Sequence, residues 1–185
     1  DIGNLKEHQL GYVYVQEAAS MIPAVVLNPK EHSIVLDMAA APGSKTTHLA
    51  SIMKNTGIII ANDVDYGRLS ALSINLERCG VANSIITLMH GRAFNKMENK
   101  FDYVLLDAPC SGTGTIRKSA KTTEMWNPNM IKRLAGIQKL LIDSAFNCLK
   151  KNGTLVYSTC SLEPEENEAV VDFLIYVPRA PWNEI

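Results

Sequence analysis

Ile34-Val35-Leu36-Asp37-Met38-Ala39-Ala40-Ala41-Pro42-Gly43-Ser44-Lys45-Thr46-Thr47 is the stretch whose reading decides the fold. A short apolar run ends in an acid. A turn of small residues follows, and then a helix begins. A fully apolar run of this length reads as a strand buried on both faces. The turn carries so little side-chain bulk that a ligand can approach its backbone closely.

Downstream, the pattern repeats. Apolar strands are expected at residues 58–61, 85–89, 101–106 and 155–157. Ser44 has the chemistry of an N-cap, and the spacing predicts a helix over residues 45–54. Leu69, Leu72, Leu76 and Cys79 recur at helical spacing until Gly80. Asn127 and Pro128 open a long helix towards residue 150, with a stripe of Ile131, Leu134, Leu141, Ala145 and Leu149, and Asn152-Gly153 ends it. Pro164 opens a last helix whose first turn carries Glu165 and Glu166, where the macrodipole favours acids. Residues 1–33 form a lead-in that packs on the domain spanning 34–185. Within the lead-in, residues 11–16 alternate weakly, as an edge strand would, and a short helix covers 17–26.

Strands alternating with helices imply an α/β fold: a doubly wound, mostly parallel sheet with helices on both faces. In such a sheet the loops after the strands share one edge, where ligands bind. Asp37, Asp63, His90-Gly91, residues 107–110 and Thr159-Cys160 each follow a strand, so topology gathers them.

Size and composition narrow the classes. The chain has 185 residues, 46% of them hydrophobic, 20% charged, and a net charge of −1. That suits one core and gives no bulk attraction for polyanions. No apolar run approaches the roughly 18 residues of a membrane span, and no signal peptide is visible. The four cysteines lack CxxC spacing, so no metal site is expected. A reduced, cytoplasmic, monomeric protein is the expectation, nuclear or nucleolar if the source is eukaryotic.

Three ligands compete for the first turn. A phosphate loop would match the spacing of Ala39, Ser44, Lys45 and Thr46, but Ala39 and Ser44 replace the required glycines and Pro42 removes an N–H. A dinucleotide site lacks its G-x-G-x-x-G. S-adenosylmethionine has no pyrophosphate, and needs a small-residue turn and nearby acids. Asp63 ends the second strand, where an acid can accept both ribose hydroxyls, and Asp65 suits a solvated loop position better. Lys45 is unusual in a helix's first turn, where the macrodipole disfavours a cation.

Cys110 and Cys160 carry the most specific signal. Cys79 and Cys148 fit core positions, whereas Cys110 and Cys160 lie in loops on the ligand edge. Two small residues that happen to be cysteine are one reading of that pair, and a disulfide, disfavoured in a reduced compartment, is a second. Covalent catalysis is the third. Carbon 5 of cytosine attacks a sulfonium methyl poorly until a thiolate adds to carbon 6. Such chemistry needs a nucleophilic cysteine, an acid at the base's nitrogen edge and a group assisting release. Asp107, Cys110 and Cys160 could supply all three.

Asp107-Ala108-Pro109-Cys110-Ser111-Gly112, Tyr157-Ser158-Thr159-Cys160-Ser161, Pro164-Glu165-Glu166-Asn167-Glu168 and Ala40-Ala41-Pro42-Gly43-x-Lys45-Thr46 together resemble the Fmu/Sun family of RNA cytosine-5 methyltransferases. The resemblance runs from about residue 12 to residue 175. It implies that Cys160 is the nucleophile, that Cys110 assists release and that Asp107 contacts the target cytosine. It also implies that Lys45 lies beside the chemistry, and that residues 39–44 (Ala39, Ala40, Ala41, Pro42, Gly43, Ser44), Lys45, Asp63, Arg68, His90, Gly91 and Asp107 hold S-adenosylmethionine.

Ala39 stands where the family usually has Cys, Ser44 where it has Gly, and His90 where it has an acid that meets the adenine amino group. The family's sheet normally continues beyond the last helix, so C-terminal strands are expected to be missing here. RNA, as tRNA or rRNA, is the expected partner, with residues 117–121 and Trp126 as candidate contacts. A non-catalytic S-adenosylmethionine- or RNA-binding module is the alternative, and an NTPase a more distant one.

Overall fold

A computed structural model describes residues 2–117, 122, 124 and 126–176. Much of the basic segment 117–121 and all of residues 178–183 lie outside the described residues. The described chain divides into two compact units. The first comprises Asp1–Ala108 with Ser144–Ser158, and the second Pro109–Asp143 with Thr159–Ile185.

The first unit holds a five-stranded sheet: β1 (Ile34–Asp37), β2 (Ile58–Asp63), β3 (Ser84–Leu88), β4 (Phe101–Asp107) and β5 (Leu149–Ser158). Their order is β3-β2-β1-β4-β5, and every pairing is parallel. The order reverses between β1 and β4, which makes that boundary the switch point of a doubly wound sheet. Consecutive Val35 and Leu36 of β1 are both fully buried, as a central strand requires. On the edge strand β3, Ile85, Ile86 and Leu88 stay exposed.

The longest helices lying wholly in this unit are α1 (Ala18–Leu27), α2 (Ser44–Ile52) and α3 (Tyr66–Arg78), preceded by a single helical turn at Lys6–Gln9. Ala24 and Leu27 of α1 join Val35, Leu49, Ala50, Met53, Ile59 and Leu105 in one buried cluster. Residues 11–16 form no strand. Arg78 holds them instead, donating to the His8 and Val13 carbonyls at 2.7 and 3.3 Å and lying over the Tyr14 ring. A guanidinium with several donors replaces the ladder that an edge strand would need.

Three boundaries differ from expectation. Gly43, with φ of +107°, occupies the cap of α2, and Ser44 is already helical. The long helix α4 (Pro128–Asn147) ends earlier, and β5 begins almost at once. Asn152-Gly153 therefore interrupts a strand: pairing passes from Phe101–Leu149 to Tyr103–Thr154 with a register shift. The helix opening at Pro164 is a single 3-10 turn (Pro164–Glu166), and α5 (Glu168–Tyr176) starts after Asn167, whose φ and ψ are −116° and −90°. No helix among the described residues is long and apolar enough to cross a membrane.

Candidate active site

Parallel pairing brings the ends of β1, β2, β4 and β5 to one edge of the sheet, so Asp37, Asp63, Asp107 and Ser158 share it. The turn after β1 is shaped from within. Ala40 N–H donates to the Asn62 carbonyl at 2.7 Å, Ala41 N–H to Asp63 Oδ2 at 3.1 Å, and Gly43 N–H to the Ala40 carbonyl at 2.8 Å. Those amides are engaged, and Pro42 has none, so the turn is no phosphate nest.

Gly43 is required by its left-handed φ, and a Cβ there would meet Leu72 Cδ1 at 3.1 Å. Arg68 clamps the turn from α3, donating through Nη2 to the Ala41 carbonyl and pairing with Asp63 at 3.4 Å. Asp63 is buried, and its Oδ1 also accepts from Asp65 N–H. Asp65 caps α3 through Gly67 N–H at 2.8 Å. Ala39 and Ser44 are half-buried at the two ends of the turn. His90 is exposed after β3, and its carbonyl accepts from Ala93 N–H as Gly91 begins a 3-10 turn.

Lys45, in the first turn of α2, donates to Asp107 Oδ2 at 2.6 Å and to Ser20 Oγ at 3.2 Å. The acid offsets a dipole penalty of about 0.3–1 kcal/mol for a cation at that position. Ser158 Oγ donates to the other Asp107 oxygen at 2.7 Å. Beneath the turn lies Asp37, fully buried, which accepts from Thr46 Oγ1 at 2.7 Å. Its other oxygen is buried without a partner among the described residues. Burial pushes its pKa up to about 7; the Thr46 hydrogen bond opposes the rise and the Asp107 charge adds to it.

The second unit holds the cysteine pair. Cys110 Sγ lies 3.1 Å from Cys160 Sγ and accepts from the Cys160 backbone N–H at 3.2 Å. Cys160 is exposed and Cys110 half-buried. The adjoining Cys160 sulfur, and then burial, hold the Cys110 thiol far above the usual range, so it keeps its proton. The two loops are stitched together. Gly114 N–H donates to the Cys160 carbonyl at 2.9 Å and Leu162 N–H to Thr113 Oγ1 at 2.8 Å. A Cβ on Gly114 would meet that Cys160 carbonyl oxygen at 2.9 Å, so the approach requires glycine.

Thr159 Oγ1 donates to Asn167 Oδ1 at 2.6 Å, and Asn167 Nδ2 donates to the Ser161 and Glu163 carbonyls. Trp126, half-exposed, is tied by its indole N–H to Glu163 at 2.9 Å. Cys148 is buried below its α4 turn, with its pKa pushed up to about 12 by burial, and Cys79 is half-buried at the end of α3.

A family model described as 16S rRNA methyltransferase RsmB/F matches residues 24–179. The chain belongs to this family. Among curated relatives, it is 51% identical over 183 residues to a tRNA (cytosine(49)-C(5))-methyltransferase of Pyrococcus abyssi, covering 99% of this chain and 59% of the relative. It is 48% identical over 176 residues to the ribosomal RNA small subunit methyltransferase F of Vibrio parahaemolyticus, covering 94% of this chain and 37% of that one. The chain thus spans between about a third and three-fifths of the length of these relatives. The crystal structure of NSun6 from Pyrococcus horikoshii with SFG superimposes with a TM-score of 0.88 at 42% identity, over 95% of this chain and 45% of that one. The fold is accordingly the Rossmann-like one of these RsmB/F relatives.

Several groups in the two clusters carry no motif of their own. Ser20 and Ser158 anchor the Lys45–Asp107 pair, and no spacing rule points to them. Gln138 left a trace: it interrupts the buried face of α4 between Ala135 and Ile142, where a polar residue needs partners.

Proposed function

We propose that this chain is the catalytic domain of an RNA cytosine-5 methyltransferase that takes its methyl group from S-adenosylmethionine. The observation that carries the reading is the sulfur pair: an exposed Cys160 and a half-buried Cys110, 3.1 Å apart. Family membership and the RNA-methylating relatives support it.

The turn suits the donor. Its amides are closed to phosphate, its walls are alanine and glycine, and a buried carboxyl oxygen of Asp37 has no partner among the described residues. Residues 39–44 with Asp63, Arg68, His90 and Gly91 would hold the donor, whose SFG-bound relative carries an analogue of it. S-adenosylmethionine supplies an electrophilic sulfonium methyl. Asp63 serves the ribose with a carboxylate already fixed by Ala41 and Arg68.

Cys160 Sγ, as thiolate, adds to carbon 6 of the cytosine, and the electron pair of the 5,6 double bond moves to carbon 5. Carbon 5 takes the methyl group as the sulfonium S–CH3 bond breaks, leaving the donor as the neutral thioether. Asp107, held by Lys45 and Ser158, meets the base's nitrogen edge. A water molecule takes the carbon 5 proton as base, the C–H electron pair restores the double bond, and Cys160 leaves as the thiolate. Cys110 assists that release as the proton-bearing neighbour. The base must leave any stack to reach Cys160. A reduced compartment, the cytoplasm, keeps both thiols free.

The test is methyl transfer from labelled S-adenosylmethionine to unmodified tRNA and rRNA, assayed separately, with the product identified by mass spectrometry. Label in 5-methylcytosine of either RNA is expected. Calorimetric binding of S-adenosylmethionine with no transfer to either RNA would favour a binding module and overturn the enzymatic reading.

A further inference from the structure

Pro164-Glu165-Glu166 reads from sequence as a solvated, acidic helix start. Glu166 is instead fully buried. A carboxylate in such a place needs donors, because an uncompensated buried charge costs several kcal/mol. Its donors come from three segments of the second unit. Ser111 gives its N–H to Oε1 at 3.0 Å and its hydroxyl to Oε2. Ser161 gives its hydroxyl to Oε2 at 2.5 Å. Gln138 gives Nε2–H to Oε1 at 2.9 Å.

The sequence positions of these donors matter more than their number. Ser111 follows Cys110, and Ser161 follows Cys160. Gln138 Nε2 also donates to the carbonyl of Pro109 at 2.9 Å, the residue before Cys110. The hydrogen directions agree: Ser161 Oγ receives Glu163 N–H at 3.0 Å and lies 3.3 Å from the Thr113 hydroxyl, so its own proton is directed to Glu166. A carboxylate offers about four acceptor positions and no donor, and the donors named here fall on both Glu166 oxygens. An amide in its place would turn a donor towards a donor.

We propose that Glu166 is a positioning residue for the cysteine pair: one buried carboxylate ties the residue after Cys110 to the residue after Cys160, and so holds the two sulfurs 3.1 Å apart. The catalytic side of this rests on the reading of the pair as nucleophile and release thiol. Two thiols that serve one base in succession need a fixed separation, and a misplacement of about 1 Å can cost roughly a hundredfold in rate.

The pair can be interrogated without RNA. Oxidised glutathione is attacked by the Cys160 thiolate, releasing one glutathione. With Cys160 capped, Cys110 no longer faces a free sulfur; it loses its proton to solvent and, as thiolate, attacks the Cys160 sulfur of the mixed disulfide, closing the Cys110–Cys160 bond and releasing the second glutathione as thiolate. The rate of closure, followed by mass spectrometry, reports how well the sulfurs are held. Glu166→Gln is expected to slow closure roughly ten- to a hundredfold, while iodoacetamide alkylates Cys160 at its wild-type rate. With RNA carrying 5-fluorocytosine, the same variant is expected to form its adduct more slowly by a similar factor, with RNA affinity unchanged.

Closure at the wild-type rate in folded Glu166→Gln overturns the proposal. Slowed closure in a protein whose wild type forms no RNA adduct upholds the positioning and overturns the enzymatic reading instead. Should Glu166→Gln fail to fold, Ser161→Ala removes a single tether and decides the matter the same way.

Discussion

The donor turn and the cysteine loops each contain a buried acid, and the two acids are handled in opposite ways. Asp37 lies under the turn with a hydrogen bond from Thr46 to one oxygen and nothing described on the other. Glu166 lies between the cysteine loops with donors on both oxygens. The first acid keeps one oxygen unpartnered among the described residues beside a turn of small side chains, and the second is held on both oxygens within its own unit. An incomplete buried carboxylate suits a place where something else arrives, and a complete one suits a joint.

The contrast can be broken most forcefully at the cysteine loops. Cys110→Ala leaves Cys160 to add to the base and removes the proton-bearing neighbour. Turnover is expected to fall roughly 10²–10⁴-fold, the usual worth of a positioned acid or base, with RNA accumulating as a covalent complex on gels. Clean turnover by this variant would remove Cys110 from the mechanism.

A smaller effect is expected at Asp37, and its sign follows from linkage. The folded-state pKa stands near 7 against an ordinary 3.8. Between those values the folded chain keeps a proton that the unfolded chain has lost. Stability from this group is therefore full below about pH 4 and falls as pH rises towards 7. Asp37→Asn cancels that loss. Thermal melts of the ligand-free protein at pH 5 and pH 8 should show the wild type losing roughly 2–3 kcal/mol relative to the variant. Parallel pH profiles would mean that Asp37 is not held as a neutral acid.

The smallest effect is expected from Thr46→Val, which removes the hydroxyl donated to Asp37. It should cost about 1–3 kcal/mol at neutral pH. Because that bond opposes the upward shift, the midpoint of the pH-dependent stability loss should also move up. A midpoint that stays in place would show that the hydroxyl does not tune the acid.

Much of the fold was legible because it rests on local patterning. The β1 run, its terminal Asp37 and the helix after Gly43 follow from burial and small-residue turns, and four of the five strands lie within a few residues of their expected bounds. The misread places are those where a local signal was put to a non-local use. Asn152-Gly153 serves as a strand irregularity, because β5 needs to pair with β4 from Leu149 onward.

Pro164-Glu165-Glu166 satisfies a rule about helix starts, yet Glu166 turns inward because Ser111 and Gln138, distant in sequence, await an acceptor. Ser20 carries no pattern at all, and Ser158 is visible only as a neighbour of Cys160 in its motif, with nothing to mark it as a partner of Asp107. The cysteines themselves were legible, since no core role places two thiols in loops after strands. Their 3.1 Å separation depends on a network invisible in one dimension.

The covalent step is the centre of this account. Incubation with S-adenosylmethionine and RNA carrying 5-fluorocytosine, followed by protease digestion and mass spectrometry, reads it directly. A methylated 5-fluorocytosine nucleotide attached to the peptide containing Cys160, and absent from Cys160→Ala, is the expected result. An adduct that persists in Cys160→Ala, or that maps to Cys110, would contradict it.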